Sequence, residues 1–265
     1  LIMRENMEKN ATLHIAKKQK SDEFYTQLCD IERELPYYIN HFKDNIVYCN
    51  CDDYRISNFF KYFYDNFHIL GLKKLIASCY KESSRGFYFE YTGSEDMNNI
   101  KYFNGNGDFR SDETKFLLNQ ADIVVTNPPF SLFREYISHL VENDKRFLII
   151  GNINSITYKE VFKLIQENNL WLGVNMGRGI SGFIVPEHYD LYGSEVRVTE
   201  TGNKIISPNN CLWLTNLDIS KKHVDINLTK SYVGNELYYK KYDNYDGINV
   251  NKTKDIPKDY TGIMG

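Results

Sequence analysis

The tetrapeptide Asn127-Pro128-Pro129-Phe130 combines two hydrogen-bond acceptors, a stiff turn and a flat aromatic face. That set suits methylation of a planar exocyclic amine. Such an amine is a poor nucleophile, because its lone pair is delocalised into the ring. The Asn127 side-chain oxygen and the Pro128 carbonyl can each accept one of its N–H groups, which favours a nitrogen whose lone pair points at a methyl donor. The gain comes from positioning and preorganised dipoles rather than acid–base catalysis. The prolines fix φ and remove donors, so the turn does not hydrogen-bond itself. Phe130 offers a face on which a base can stack. Asn-Pro and Pro-Pro also open ordinary turns. The position of this turn, directly after the apolar run Ile123-Val124-Val125-Thr126 and before the helical pattern of residues 132–137, selects the methyltransferase reading.

The elements that must position this turn are legible upstream and downstream. Residues 1–20 are polar and read as a tail or first helix. Residues 21–44 read as helical with a break at Pro36, with Ser21 as a cap and Phe24, Leu28 and Ile31 on one face. Residues 46–51 read as a buried strand, Asp52-Asp53-Tyr54 as a turn, and 56–67 as a helix with Phe59, Phe60, Phe63 and Phe67 inward. Gly71 ends that unit and Leu72–Tyr80 reads as a second strand, giving a strand–helix–strand unit of parallel type. Short strands follow near 87–91 and Tyr102-Phe103, then a loop at 105–108, a helix at 112–120, strand 122–126, helix 131–143, strand 147–151 and helix 157–168. This alternation predicts an open α/β fold, with a mostly parallel sheet and helices on both faces. Ligands in such folds sit at the carboxyl ends of the strands, where both the Asn127 turn and the Cys51-Asp52-Asp53 turn fall. Beyond residue 170, six glycines interrupt short apolar runs such as Phe183-Ile184-Val185 and Leu212-Trp213-Leu214, and the stretch 218–265 is polar and Tyr-rich.

Composition narrows the function class. With 265 residues, 42% of them hydrophobic and 25% charged, the chain has the make-up of a soluble globular protein able to bury a full core. No apolar run approaches the roughly 18 residues of a membrane span, and none follows Leu1 as a signal peptide would require. Leu1 is not an initiator methionine, so the natural chain is expected to start upstream. The five cysteines, Cys29, Cys49, Cys51, Cys79 and Cys211, form no C-x-x-C pair and have no His or Cys partners at ligand spacing. They read as reduced thiols rather than zinc ligands, which implies a cytoplasmic protein without a metal. A net charge of −3 excludes a generally basic nucleic-acid coat, so any nucleic-acid site must gather its Lys and Arg on one face. The clusters Lys17-Lys18 with Lys20, and Lys221-Lys222-His223, read first as solvated surface.

Several stretches together resemble the EcoRI-type adenine-specific DNA methyltransferases. They are the segments 21–27 (SDEFYTQ), 48–53 (YCNCDD), 107–111 (GDFRS) and 122–135, with 149–152 and 242–246 adding to the match. The resemblance spans nearly the whole chain. It implies a Rossmann-like class I methyltransferase fold, S-adenosylmethionine as donor and the N6 amine of a flipped adenine in double-stranded DNA as acceptor. Catalytic roles then fall on Asn127, Pro128, Pro129 and Phe130. Phe24, Tyr25 and Thr26 match the family's cofactor-contacting aromatic motif. Cys49, Asn50, Cys51, Asp52 and Asp53 match the first-strand cofactor loop, with Asn50, Asp52 and Asp53 shaping the turn in place of the absent G-x-G, and a carboxylate available to the cofactor's ammonium. Asp108 and Phe109 are placed beside the cofactor's adenine. The second strand ends without the usual ribose-binding acid, and Glu82 is the nearest candidate. Residues 21–170 form the catalytic domain on this reading. Residues 171–265 form a β- and loop-rich target-recognition region packed on its sheet, with Arg178 and Arg197 as base or phosphate readers. The family implies a monomer, compatible with a companion restriction endonuclease that makes no stable complex with it. Family members extend further at the carboxyl end, so a final segment is expected beyond Gly265. Two other readings stay open: a methyltransferase acting on an RNA base or a protein glutamine, and a non-catalytic DNA-binding subunit of the same fold.

Overall fold

The computed structural model describes residues 24–94, 100–175, 179–186, 196–199, 202–207 and 210–265. Lys17, Lys18, Lys20, Ser21 and Arg178 lie outside them. The chain divides into two compact units, Leu1–Ile219 and Ser220–Gly265.

The first unit is built on an eight-stranded mixed sheet. Its strands in chain order are β2 (Ile46–Cys49), β3 (Lys74–Cys79), β4 (Phe87–Tyr91), β5 (Ile100–Tyr102), β6 (Ile123–Thr126), β7 (Arg146–Asn152), β8 (Trp171–Leu172) and β12 (Cys211–Thr215). They lie in the order β5-β4-β3-β2-β6-β7-β12-β8. The four central strands, β3-β2-β6-β7, are parallel. Both flanks are antiparallel, which corrects the expectation of a mostly parallel sheet. The reason on one side is connection length. Only residues 80–86 join β3 to β4, too few for the crossover of a dozen or more residues that parallel pairing requires.

The central strands are apolar on both faces because both are covered. Ile123 and Val125 of β6, with Leu148 and Ile150 of β7, pack into a cluster with Ile31 of helix α1 (Leu28–Glu34) and Phe59 and Phe63 of helix α2 (Asn58–Asp65). The alternate residues Val124 and Ile149 join Leu117 of helix α3 (Asp112–Gln120), Tyr136, Ile137 and Leu140 of helix α4 (Phe133–Glu142) and Val161 of helix α5 (Lys159–Gln166) on the other face. Each such side chain contributes about 1.5–3 kcal/mol by leaving water. Local signals set the helix starts. Ser57 accepts from the Phe60 N–H and Ser111 from the Thr114 N–H, each satisfying a donor that the first turn leaves orphaned. The helix expected from 131 instead opens as a 3-10 turn, Phe130–Leu132, before α4.

A second, four-stranded antiparallel sheet has the order β1-β9-β11-β10, from β1 (Tyr25–Thr26), β9 (Phe183–Val185), β10 (Val196–Val198) and β11 (Lys204–Ile206). It corrects the reading of Phe24 as a helical residue. Tyr25 pairs with Ile184 and Thr26 with Phe183, and this pairing overrides the local helical spacing; α1 starts only at Leu28. Gln27 helps to hold the corner, its Nε2 donating to Ser181 Oγ at 2.8 Å and to the Gly182 carbonyl at 3.0 Å. Among the described residues no helix is long and apolar enough to cross a membrane.

The second unit has little regular structure: a short parallel pair of β13 (Gly247–Ile248) and β14 (Ile263–Met264), and single 3-10 turns. Tyrosines bind it together. Tyr242 stacks on Tyr245 at 4.4 Å, and Tyr232 packs against Tyr239 and Tyr260 at 5.6 and 4.6 Å.

Candidate active site

The chain leaves β2 for β3 on one side and later returns to β6 on the other side of β2. The carboxyl ends of β2 and β6 therefore diverge at a topological switch point, where open α/β sheets form a ligand crevice. The Asn127 turn follows β6 and the 50–53 loop follows β2, so the two strongest sequence signals meet there.

Asn127 is held by one end of its amide. Its Nδ2 donates to the Phe24 carbonyl at 2.7 Å, while its Oδ1 is buried with no hydrogen-bond partner among the described residues. Only the nitrogen can pair with a carbonyl, so the contact fixes which way the amide faces. Pro128 is buried, and Pro129 supplies the carbonyl that accepts from the Leu132 N–H at 3.0 Å to start the 3-10 turn. Phe130 is half-buried. Its ring centroid lies 5.6 Å from Phe24 and 5.8 Å from Phe183, and Phe24 lies 6.0 Å from Phe183. Phe183 thus completes an aromatic trio that sequence reasoning missed. The run 183–185 reads as a strand, but nothing local shows that its first residue faces Phe130. Beside the trio, half-buried Tyr25 continues β1, the Thr26 carbonyl accepts from Asn58 Nδ2 at 2.8 Å, and Thr26 Oγ1 is buried without a partner among the described residues.

The β2 loop turns without glycine. The residue in the left-handed region is Cys51, with φ of 71°, rather than Asn50, Asp52 or Asp53 as expected. A non-glycine residue there costs about 1–2 kcal/mol, so its surroundings must hold it. They do so on both sides. The Asp52 N–H donates to the Ser78 carbonyl of β3 at 2.8 Å. The Asn50 Oδ1 accepts from Ser78 Oγ at 3.4 Å, and Asn50 Nδ2 is a buried donor with no partner among the described residues.

Asp52 and Asp53 are neighbours in opposite states. Burial pushes the Asp52 carboxyl up to about 7; hydrogen bonding with Ser57 and Thr126 moderates the rise, and the charge on Asp53 adds to it. Burial acts upward on Asp53 too. There the hydrogen bonds and charge of Arg55, aided by Lys81, outweigh it and leave the carboxyl below its ordinary range. Arg55 grips Asp53 at 2.8 and 2.5 Å and lies over the Phe87 ring at 4.7 Å. The loop's standing negative charge is therefore on Asp53. Burial pushes the thiols of Cys49, Cys51 and Cys79 up, so none is an ionised nucleophile near neutrality.

The 107–110 loop joins this site. Gly107 has φ of 79°, and a Cβ there would come within 2.8 Å of the Cys79 carbonyl at the end of β3. Asp108 is close enough to bear electrostatically on Cys51. Hydrogen bonds from Arg110 at 2.9 and 2.6 Å hold its carboxyl low, and Arg110 also reaches Glu135 of α4 at 2.8 Å. Phe109 points into the core, with its ring against Tyr136 at 5.1 Å and His139 at 5.8 Å. Glu82 is exposed beyond β3, and Arg197 is exposed on β10. Among the described residues no cluster of His, Cys, Asp and Glu could hold a metal.

The unpartnered Thr26 Oγ1, Asn50 Nδ2 and Asn127 Oδ1 sit on the three segments that converge at the switch point. Buried polar atoms are almost always paired, so three such atoms on neighbouring segments single this place out as a candidate ligand site. In chemical type, the donor and the hydroxyl can serve an anion, the ionised Asp53 a cation, and the separate acceptor an N–H donor.

A family profile described as adenine-specific methyltransferase EcoRI matches residues 12–265. The type II methyltransferase M.EcoRI of Escherichia coli is 64% identical over 278 residues, covering 98% of this chain and 85% of that protein. The type II methyltransferase M.MpnI of Mycoplasma pneumoniae is 40% identical, covering 94% of this chain and 78% of that protein. M.MgeORF184P, a type II methyltransferase of Mycoplasma genitalium, is 39% identical over the same shares. No solved structure matches the chain.

Proposed function

The chain belongs to the EcoRI family of adenine-specific methyltransferases and is an adenine-specific DNA methyltransferase, and we propose that Asn127 and Pro128 hold the reacting amine at the crevice between β2 and β6. The observation that carries this reading is the buried, unpaired Asn127 Oδ1, set in place by the Nδ2 contact to Phe24. An adenine turned out of a DNA duplex would donate one N6–H to this oxygen and the other to the Pro128 carbonyl. Phe130 would stack on the base, with Phe24 and Phe183 supporting its ring. The two acceptors fix the amine with its lone pair facing the cofactor side. The oriented dipoles cost nothing to reorganise as charge develops on nitrogen.

S-adenosylmethionine, when bound, supplies an electrophilic methyl group on a sulfonium sulfur. Phe24, Tyr25, Thr26, the segment Cys49 to Asp53 and Asp108 would hold it, and the central parallel strands would serve as a class I methyltransferase core. Asn50 Nδ2 and Thr26 Oγ1 suit its carboxylate, and Asp53 suits its ammonium. Phe109, packed under α4, would steady the 107–110 loop rather than stack on a ligand. The test is transfer of tritiated methyl from S-adenosylmethionine to unmethylated duplex DNA, followed by nucleoside digestion and mass analysis. N6-methyladenine is the expected product. Folded, cofactor-binding protein that methylates no adenine in duplex DNA would overturn the proposal.

A further inference from the structure

We propose that Asp52 is a neutral positioning acid, which donates a hydrogen bond to Thr126 and so ties the catalytic turn to the loop after β2. The inference rests on the reading that Asn127 holds the adenine amine. A count of protons carries it.

Thr126 Oγ1 lies within hydrogen-bonding reach of two oxygens, the Asn50 carbonyl and Asp52 Oδ2, the latter at 2.6 Å. A hydroxyl has one proton to give. The other Asp52 oxygen, Oδ1, lies 2.6 Å from Ser57 Oγ, which itself accepts from the Phe60 N–H and so commits its own proton to Asp52. With an ionised Asp52, one of the two Thr126 contacts would set lone pair against lone pair inside the protein. With the proton on Asp52 Oδ2, every contact has one hydrogen. Asp52 donates to Thr126, Thr126 donates to the Asn50 carbonyl, and Ser57 donates to Asp52 Oδ1.

The surroundings fit a neutral acid. Asp52 is 8% exposed, and among the described residues Arg55 and Lys81 pair with Asp53, while no ion pair reaches Asp52. The titratable groups bearing on it are Asp53 and Cys51 of its own loop, Cys49 of β2 and Tyr136 of α4. Burial raises the two thiols and the phenol, so Asp53 is the charged one among these near neutrality, and it opposes ionisation of Asp52.

The link spans the switch point. Thr126 is the last residue of β6 and precedes Asn127, while Asn50 to Asp52 is the turn after β2. The Phe24 contact fixes the Asn127 side chain, and the Asp52–Thr126–Asn50 chain fixes the backbone from which it projects. Ionising Asp52 removes the donor, frees Thr126 to swing between two acceptors, and loosens Asn127.

The experiment is the pH profile of the single-turnover methyl-transfer rate for the full chain on duplex DNA, in wild type and Asp52→Asn. The wild-type rate is expected to fall as pH rises through about 7. An asparagine amide can donate to Thr126 at every pH, so the ratio of rates at pH 8.5 and pH 6 should rise several-fold in the variant. An unchanged ratio would overturn the inference. So would an unchanged alkaline limb together with tenfold weaker cofactor binding at every pH, since that pattern belongs to an anion on the cofactor's ammonium. Carbon-13 NMR of labelled aspartate in the wild type needs no variant. One carboxyl titrating near neutrality supports the proposal, and all of them titrating in the ordinary range overturns it. Asn127→Ala, run on the same DNA, tests the underlying reading separately. Retained turnover there would sink the role of Asn127, whereas the Asp52 profile and the NMR titration decide the link.

Discussion

Replacing Asn127 by alanine removes one contact present in the fold and one that the proposed function assigns, with separable costs. On the reaction side, under the proposed function, it deletes the acceptor assigned to the amine. Losing one such group costs about 2.7–4 kcal/mol of transition-state stabilisation, or roughly 10²–10³ in rate. On the folding side it strips the Phe24 carbonyl of the Nδ2 donor at 2.7 Å. A buried acceptor left unpaired costs about 1–3 kcal/mol. That loss falls on β1, which keeps its pairing to β9 and the Asn58 contact at Thr26. Against a typical stability of about 5–15 kcal/mol, the variant stays folded. The expected result is a single-turnover rate down by roughly 10²–10³ at saturating DNA and cofactor, a modestly lower urea midpoint, and cofactor still bound by calorimetry. A folded variant within about fivefold of wild type would refute the reasoning, because an acceptor in this position cannot be worth so little.

Phe130 and Phe183 should separate by function. Phe130→Ala is expected to weaken the flipped-base complex by about 1–3 kcal/mol, read by the fluorescence of 2-aminopurine at the target position. Phe183 is fully buried, so Phe183→Ala should cost about 3–5 kcal/mol in urea unfolding; an unchanged midpoint would contradict its place in the trio. Gly107→Ala puts a Cβ 2.8 Å from the Cys79 carbonyl at φ of 79°. The displaced loop should lower cofactor affinity at least tenfold, and an unchanged calorimetric constant would remove this loop from the cofactor site. Stability should also report Asp52. Its carboxyl is raised from 3.8 when folded, so the contribution of the neutral form is complete below about 3.8 and lost as pH climbs through about 7. Urea unfolding of wild type should therefore weaken relative to Asp52→Asn across that window, by at most about 4 kcal/mol; parallel pH dependences would refute it.

The centre of the fold was legible because its signals are local. β2, β3, β6 and β7 are short apolar runs bounded by turns, and the aromatic spacing of residues 59–63 marks the inward face of α2. The Asn127 turn was legible for the same reason. What escaped depends on partners distant in sequence. Phe24 keeps helical spacing with Leu28 and Ile31, yet lies beside a strand because Tyr25 meets Ile184. Phe109 sits beside an acid in a loop, as a stacking residue would, but its ring faces Tyr136 and His139. Cys51 has no intrinsic preference for its backbone conformation; contacts from β3 impose it. Asp52 and Asp53 are the same residue type side by side. Arg55, two positions on, identifies Asp53 as the ionised one, but only the fold brings Thr126 to Asp52.

The β1–β9 pairing also sets when the site can exist. The carbonyl that orients Asn127 belongs to Phe24, beside a strand whose partner arrives about 160 residues later. At about 5–20 residues per second, a ribosome needs roughly 10–30 s to cross that gap. Through that interval the central parallel strands emerge, but the aromatic trio lacks Phe183 and β1 lacks β9, which in turn waits for β11. The Asn127 turn is thus among the last parts of the unit to be organised during synthesis, and a nascent chain that ends between Phe130 and Phe183 carries the motif without the aromatic trio.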